Sequence, residues 1–256
     1  MHKPDASTLI NKAPQIGLIF WVTKICATTL GETGGDLLSQ TLGFGYLAST
    51  FVLLALFAAT LAAEMLAKQF SPIRYWAVIL STTMAGTTLS DFLDRSAHLG
   101  YLGGAALLIC ALVGVLLAWR WTLGQISFDH IADPKVEAFY WLTILVSNTL
   151  GTALGDFLAD NAQLGYLGGS ALVGSAILVV ILAWRFTKAP HAVLFWAAFV
   201  LTRPLGATVG DLLTKARDAG GLGLGTLAAS SVLVVVVAGL VFFSTRRRSD
   251  QMEERA

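Results

Sequence analysis

Charge is scarce in this chain. Asp, Glu, Lys and Arg make up 13% of its 256 residues, against about 25% in a soluble domain. Cysteine is nearly absent. Cys26 and Cys110 both lie in apolar runs without CxxC or Cys/His spacing, which argues against a zinc site or a disulfide framework. There is no G-x4-G-K-S/T phosphate loop, no HExxH and no GxSxG elbow, so the chemistries those motifs carry have no footing. No nucleophile stands beside a base. The chain is read as no enzyme and as carrying no cofactor. No secretory signal is evident, because Lys3, Asp5 and Lys12 lead into an apolar run too long for a signal h-region.

What remains is apolar. Hydrophobic residues make up 55% of the chain, and the mean hydropathy of +0.71 marks an integral membrane protein. Spans are expected at 14–38, 46–67, 73–93, 100–120, 138–158, 164–185, 191–213 and 222–244, each near the roughly 20 residues that cross a bilayer core. The expected organisation is a polar N-terminal segment 1–13, a first half 14–120, a linker 121–137 holding Asp129, His130, Asp133 and Pro134, a second half 138–244 and a basic tail 245–256.

The spans repeat. Residues 20–47, 75–102, 140–167 and 195–222 align without a gap. Trp21, Trp76, Trp141 and Trp196 each stand 15 residues before Asp36, Asp91, Asp156 and Asp211. Glycine stands five residues before each aspartate (Gly31, Gly86, Gly151, Gly206) and nine after it (Gly45, Gly100, Gly165, Gly220). Each repeat holds two spans, so all four enter the membrane the same way up, unlike inverted transporter repeats. The fold class is therefore all-α: eight transmembrane helices as four parallel helix-hairpin repeats, arranged as a pseudo-fourfold ring or as two pseudo-twofold halves. Of the 17 Lys and Arg residues, 12 fall on the side of the termini, and Arg95, Lys215 and Arg217 fall opposite. The positive-inside rule puts both termini in the cytoplasm.

Residues four apart share a helix face, and on the odd spans that face is polar. It reads Lys24, Thr28, Glu32, Asp36 in repeat one and Ile79, Thr83, Thr87, Asp91 in repeat two. Repeat three gives Ile144, Asn148, Thr152, Asp156, and repeat four Phe199, Arg203, Ala207, Asp211. Oxygen ligands on converging helices suit a hard cation. Glu32, Asp36, Asp91, Asp156 and Asp211 are the candidate metal ligands. Lys24, Thr28, Thr83, Thr87, Asn148, Thr152 and Arg203 form the rest of the polar path. Glu32 and Arg203 each occur in one repeat, and a pairing between them is expected, since an unpaired charge at bilayer depth is costly.

Blander readings stand beside these. The aspartates read equally as N-caps of new short helices after a break at Gly31, Gly34, Gly35 or Pro204, placed near the outer interface. The tryptophans read as an interfacial aromatic anchor, and Tyr46, Tyr101 and Tyr166 as the opposite belt. His98 reads as a solvated loop residue and Cys26 as a small core residue. The three arginines 246–248 read as a topology determinant rather than a nucleic-acid site.

The tryptophans and the G-x3-G/S-D-L/F-L pattern at each aspartate resemble a bacterial membrane protein family made of four tandem two-span repeats of unknown function. The resemblance covers residues 18–244 and implies eight spans in the inner (cytoplasmic) membrane. A second likeness is to cation/proton exchangers with E-x-G-D signatures. Glu32-Thr33-Gly34-Gly35-Asp36 has one residue more than that motif, and Leu37-Leu38 departs from its ending. The likeness points to divalent cations such as manganese. The leading reading is a transporter of a small cation, in the form of a divalent metal exporter, with protons exchanged at deep carboxylates. The partners are then the cation, protons, the lipid bilayer and a second copy of the chain. The alternatives are a passive cation channel with a ring of four aspartates and a structural or assembly protein with no cargo.

Overall fold

The structure, a computed structural model, describes residues 16–67, 69–124, 126 and 133–253. The N-terminal segment 1–13 and linker residues Asp129 and His130 lie outside the described residues. Among the described residues there are eight long helices and no strand: α1 (Leu18–Asp36), α2 (Tyr46–Met65), α3 (Pro72–Asp91), α4 (Gly100–Leu123), α5 (Pro134–Asp156), α6 (Gly165–Phe186), α7 (His191–Thr214) and α8 (Thr226–Glu253). Pro72 and Pro134 open their helices at the first position, where a missing N–H costs nothing. α4 runs to Leu123 and α5 starts at Pro134, so helix extends into both ends of the linker, and α8 continues as helix through the basic residues to Glu253.

The chain is an all-α polytopic membrane protein. Six helices are apolar and long enough to cross a membrane. α1 and α3 fall short of that measure because they carry Lys24, Glu32, Asp36 and a run of serine and threonine. Most of their residues are buried against the other helices. α1, α3, α5 and α7 each pack on two others and close a ring: α1 on α3, α3 on α5, α5 on α7, α7 on α1. The ring passes across the linker without a break, so the two halves share one core.

The even helices stand outside the ring, with 11–22% of their apolar windows buried against 61% for α5 and 50% for α7. Each leans on the odd helix of the following repeat: α2 on α3, α4 on α5, α6 on α7, and α8 back on α1. The two spans of one repeat touch each other little. Every repeat is thus clasped by its predecessor.

Both repeat glycines have a physical reason. Gly45, Gly100, Gly165 and Gly220 take φ of +74°, +65°, +65° and +86°, the left-handed turn that leads to the next even helix. Gly31, Gly86, Gly151 and Gly206 lie where odd helices touch. A Cβ at each meets Thr83, Asn148, Arg203 and Thr28 of the next repeat in turn. Small residues here let the backbones approach, as in other membrane helix pairs.

The tryptophans do not form an outward belt. Trp76 and Trp141 are buried and Trp21 and Trp196 half-buried. Each packs on the aromatic residue that precedes the tryptophan of the repeat before: Phe20 on Trp76 at 5.7 Å, Tyr75 on Trp141 at 5.7 Å, Tyr140 on Trp196 at 6.3 Å, and Phe195 on Trp21 at 5.5 Å. The result is a closed aromatic girdle at one end of the ring. Exposed aromatic side chains such as Trp121, Trp184 and Phe186 are free to face an interface instead. The anchor expectation failed because position 15 before the aspartate lies on the ring-facing side of a helix whose lipid side is already covered.

Gly206→Ala puts a methyl within 2.5–2.7 Å of Thr28 and is expected to cost about 1–3 kcal/mol by overpacking. Gly114→Ala, with open space around it, is expected to be neutral or mildly stabilising. Thermal unfolding of both variants in detergent checks the difference.

Candidate functional site

The aspartates are not helix caps. Asp36, Asp91 and Asp156 have helical backbone angles and make no capping bond, and their helices run on into the π-helical turns Leu37–Thr41, Phe92–Ser96 and Phe157–Asn161. Pro204 likewise lies inside α7 without ending it. All four carboxylates are buried, with 2–5% of their surface exposed. They are near enough for the charges of Asp36 and Asp211 to act on Asp91, and those of Asp91 and Asp211 on Asp156. The expected layer therefore forms, but inside the ring rather than at a solvated interface.

Two basic residues divide it. Lys215 Nζ lies 2.9 Å from Asp36 Oδ2 and 3.2 Å from Asp211 Oδ1. Arg95 lies 3.1 Å from Asp91 and 3.8 Å from Asp156. Each stands four residues after the aspartate of its own repeat and reaches the aspartate of the next. Gln40, at the same position in repeat one, donates to Asp36 Oδ1 at 2.5 Å. Sequence reasoning counted Arg95 and Lys215 only as loop charges. The i+4 spacing was the signal that would have found them. Burial works against the charge of Lys215, but Asp211 and Asp36 outweigh it and hold the ammonium pKa above the ordinary lysine value. It is a resident cation at any physiological pH.

One turn deeper, the expected Glu32–Arg203 pair is present. Arg203 Nη1 donates to Glu32 Oε2 at 3.2 Å and to the Thr28 carbonyl at 3.4 Å. Its Nη2 donates to the Thr83 carbonyl at 3.2 Å and to Thr87 Oγ1 and Thr152 Oγ1 at 2.5 Å each. Thr87 Oγ1 donates to Glu32 Oε2 at 3.1 Å. One guanidinium on α7 thus joins α1, α3 and α5. Thr28 and Thr83 bond carbonyls of the facing helices, Thr202 and Ala27. Asn148 Nδ2 turns to Thr82 Oγ1 at 3.1 Å. Every residue of the polar path is buried, and the path is filled by its own side chains.

Lys24 lies deeper still, fully buried with Ile79, Ile144 and Phe199. Its Nζ sits 3.9 Å from the centroid of the Phe199 ring and has no hydrogen-bond partner among the described residues. An aromatic face is the one attraction a cation finds there.

Of the five candidate ligands, Glu32, Asp36 and Asp211 offer oxygens that all lie within 4.8 Å of one another. Asp91 and Asp156 belong to the opposite side, with Arg95 between them. Tyr46 and Tyr101 flank Arg95 rather than forming a simple lipid belt, while His98 is exposed and Cys26 packs against the core.

Residues 19–70, 74–124, 139–189 and 194–250 each match one family model, described as Repeat of Unknown Function (DUF347). No curated protein and no solved structure matches the chain.

Arg203→Met leaves Glu32 buried and unpaired, which is expected to cost about 3–5 kcal/mol. Adding Glu32→Leu removes the stranded charge and is expected to recover most of the loss. Chemical unfolding of both variants, read as a double-mutant cycle, tests the pairing.

Proposed function

We propose that this chain, which belongs to the Repeat of Unknown Function family, moves a small cation across the membrane, with Glu32, Asp36 and Asp211 as its ligands. One observation carries the reading: three buried carboxylates from two neighbouring helices converge within 4.8 Å. Ionisable groups at bilayer depth are costly, and by default they mark a functional site such as an ion path. Lys215 already sits as a cation between two of the three.

Charge balance favours a divalent ion. Glu32, Asp36 and Asp211 set against Arg203 and Lys215 leave one negative charge. A divalent metal in place of the Lys215 ammonium removes it, and a hard ion such as manganese(II) suits an all-carboxylate set. Protons returning to vacated carboxylates supply the counter-flow. The ring centre is filled at Arg203 and at the aromatic girdle, which favours a carrier that changes state over a passive channel. Arg95 and Lys215 are held by the aspartates, leaving Arg217 as the basic residue at that end without an ion pair among the described residues. That supports a bacterial inner-membrane orientation with the aspartate end outside and the termini in the cytoplasm.

A second reading has its own support, because each aspartate already has a basic partner. On that reading the polar stripe only holds the bundle together. The two part in proteoliposomes. The transporter shows protein-dependent manganese(II) flux, and Asp36→Asn with Glu32→Gln lowers it at least about tenfold, the low end of what changes around a metal cost, with an unaltered gel-filtration profile. Flux undiminished in that variant, or no flux above empty vesicles, sinks the transport reading.

A further inference from the structure

We infer that the aspartate ring is divided into an exchanging half, where Lys215 is a tethered cation that the cargo displaces, and a fixed half, where Arg95 permanently withholds Asp91 and Asp156 from the cargo. The inference rests on the cation reading of the Glu32, Asp36 and Asp211 site.

Arg95 and Lys215 occupy equivalent positions in repeats two and four, so the difference lies in how each is held. Arg95 Nη1 donates to Tyr46 Oη at 3.3 Å. Its guanidinium carbon lies 5.8 Å from the Tyr46 ring and 5.9 Å from the Tyr101 ring. Tyr101 is itself tied, its hydroxyl donating to Asp160 Oδ2 at 2.9 Å. Two rings flank a planar guanidinium that pairs by charge with Asp91 and Asp156, while its Nε makes no hydrogen bond among the described residues, so the hold peculiar to Arg95 is the one the tyrosines supply.

Lys215 lacks the second ring of this clasp, since Tyr166 stands where Tyr46 does for Arg95 but no ring stands where Tyr101 does. The tyrosine ten residues after the aspartate, Tyr46, Tyr101 and Tyr166 in the first three repeats, is Gly221 in repeat four. A side chain at 221 would run into the backbone of Lys215, so no tyrosine fits there. The backbone differs too. α7 stops at Thr214 and Lys215 is extended, where the other repeats continue into π-helical turns. A groove of about 450 Å³ is lined by Thr41, Thr226 and Thr214, the residue before Lys215 in the chain. Exposure does not separate the two cations: the Arg95 side chain is the more exposed, at 35% against 22%. What separates them is the second ring of the clasp and the chemistry of the head group. An ammonium on a flexible stem is a compact point charge, the kind an incoming metal ion replaces.

The fixed half retains an idle ligand. Asp91 Oδ2 is buried and has no hydrogen-bond partner among the described residues. Removing Arg95 therefore uncovers a second pair of carboxylates.

The test counts manganese(II) bound to the purified full-length protein at saturating metal, by electron paramagnetic resonance of the free ion. The expected result is one ion per chain, and two in Arg95→Gln. The second ion is lost again when Asp91→Asn and Asp156→Asn are added to that variant. Lys215→Gln is expected to bind its ion roughly tenfold more tightly, and Lys215→Arg roughly tenfold more weakly, each a shift of about 1.4 kcal/mol. A single ion in folded Arg95→Gln, or Lys215→Arg equal to the unmodified protein, overturns the division and leaves the cation reading standing. No ion bound by the unmodified protein overturns both. Should Arg95→Gln fail to fold, the Lys215→Arg arm alone decides.

Discussion

One guanidinium holds the centre of this molecule. Arg203 reaches α1, α3 and α5 from α7, and it does so far from water. The reach exists because the four odd helices touch at glycine. At Gly151 the stem of Arg203 lies against the facing backbone, where any side chain would collide with it. The glycines permit the approach and the arginine uses it. Glu32 in turn is held beside Asp36 and Asp211 by the same guanidinium, so the geometry of the carboxylate cluster depends on a residue that is not a ligand.

The scaffold and the chemistry follow different symmetries. Tryptophan, both glycines and the aspartate recur four times and build the girdle, the helix contacts, the turns and the acidic layer. The counter-charges recur twice, as Arg95 and Lys215. Glu32, Arg203 and Lys24 occur once. Each drop in symmetry brings a more specific interaction: fourfold packing, twofold pairing, then a single buried bridge.

The repeat, the helix count, the inward polar stripe and the Glu32–Arg203 pair were legible in the sequence, because each is a spacing or a charge that has to be matched inside a membrane. A cap reading of the aspartates stands beside the ligand reading because glycine precedes them. Nothing local tells that those glycines serve a neighbouring helix instead of a break. The tryptophans looked like anchors because aromatic residues near span ends usually are. Their burial depends on α2, α4, α6 and α8 each covering the following repeat, which is a tertiary fact. Arg95 and Lys215 stand four residues after Asp91 and Asp211, a spacing that reads as a pairing only when both residues are placed at a helix end instead of in a loop.

The clasp of each repeat by its predecessor has a consequence for the order in which the protein is made. The outer groove of α1 is filled by α8, the last helix to be synthesised. Glu32 waits for a counter-charge that lies 171 residues further along the chain. Until then α1 carries Glu32 without its counter-charge and is covered by α3 on one side only, in a helix too polar to rest comfortably in lipid. The nascent chain therefore keeps an unfinished first helix throughout its insertion. The bundle becomes self-consistent only when α8 meets α1, so loss of α8 uncovers the first helix.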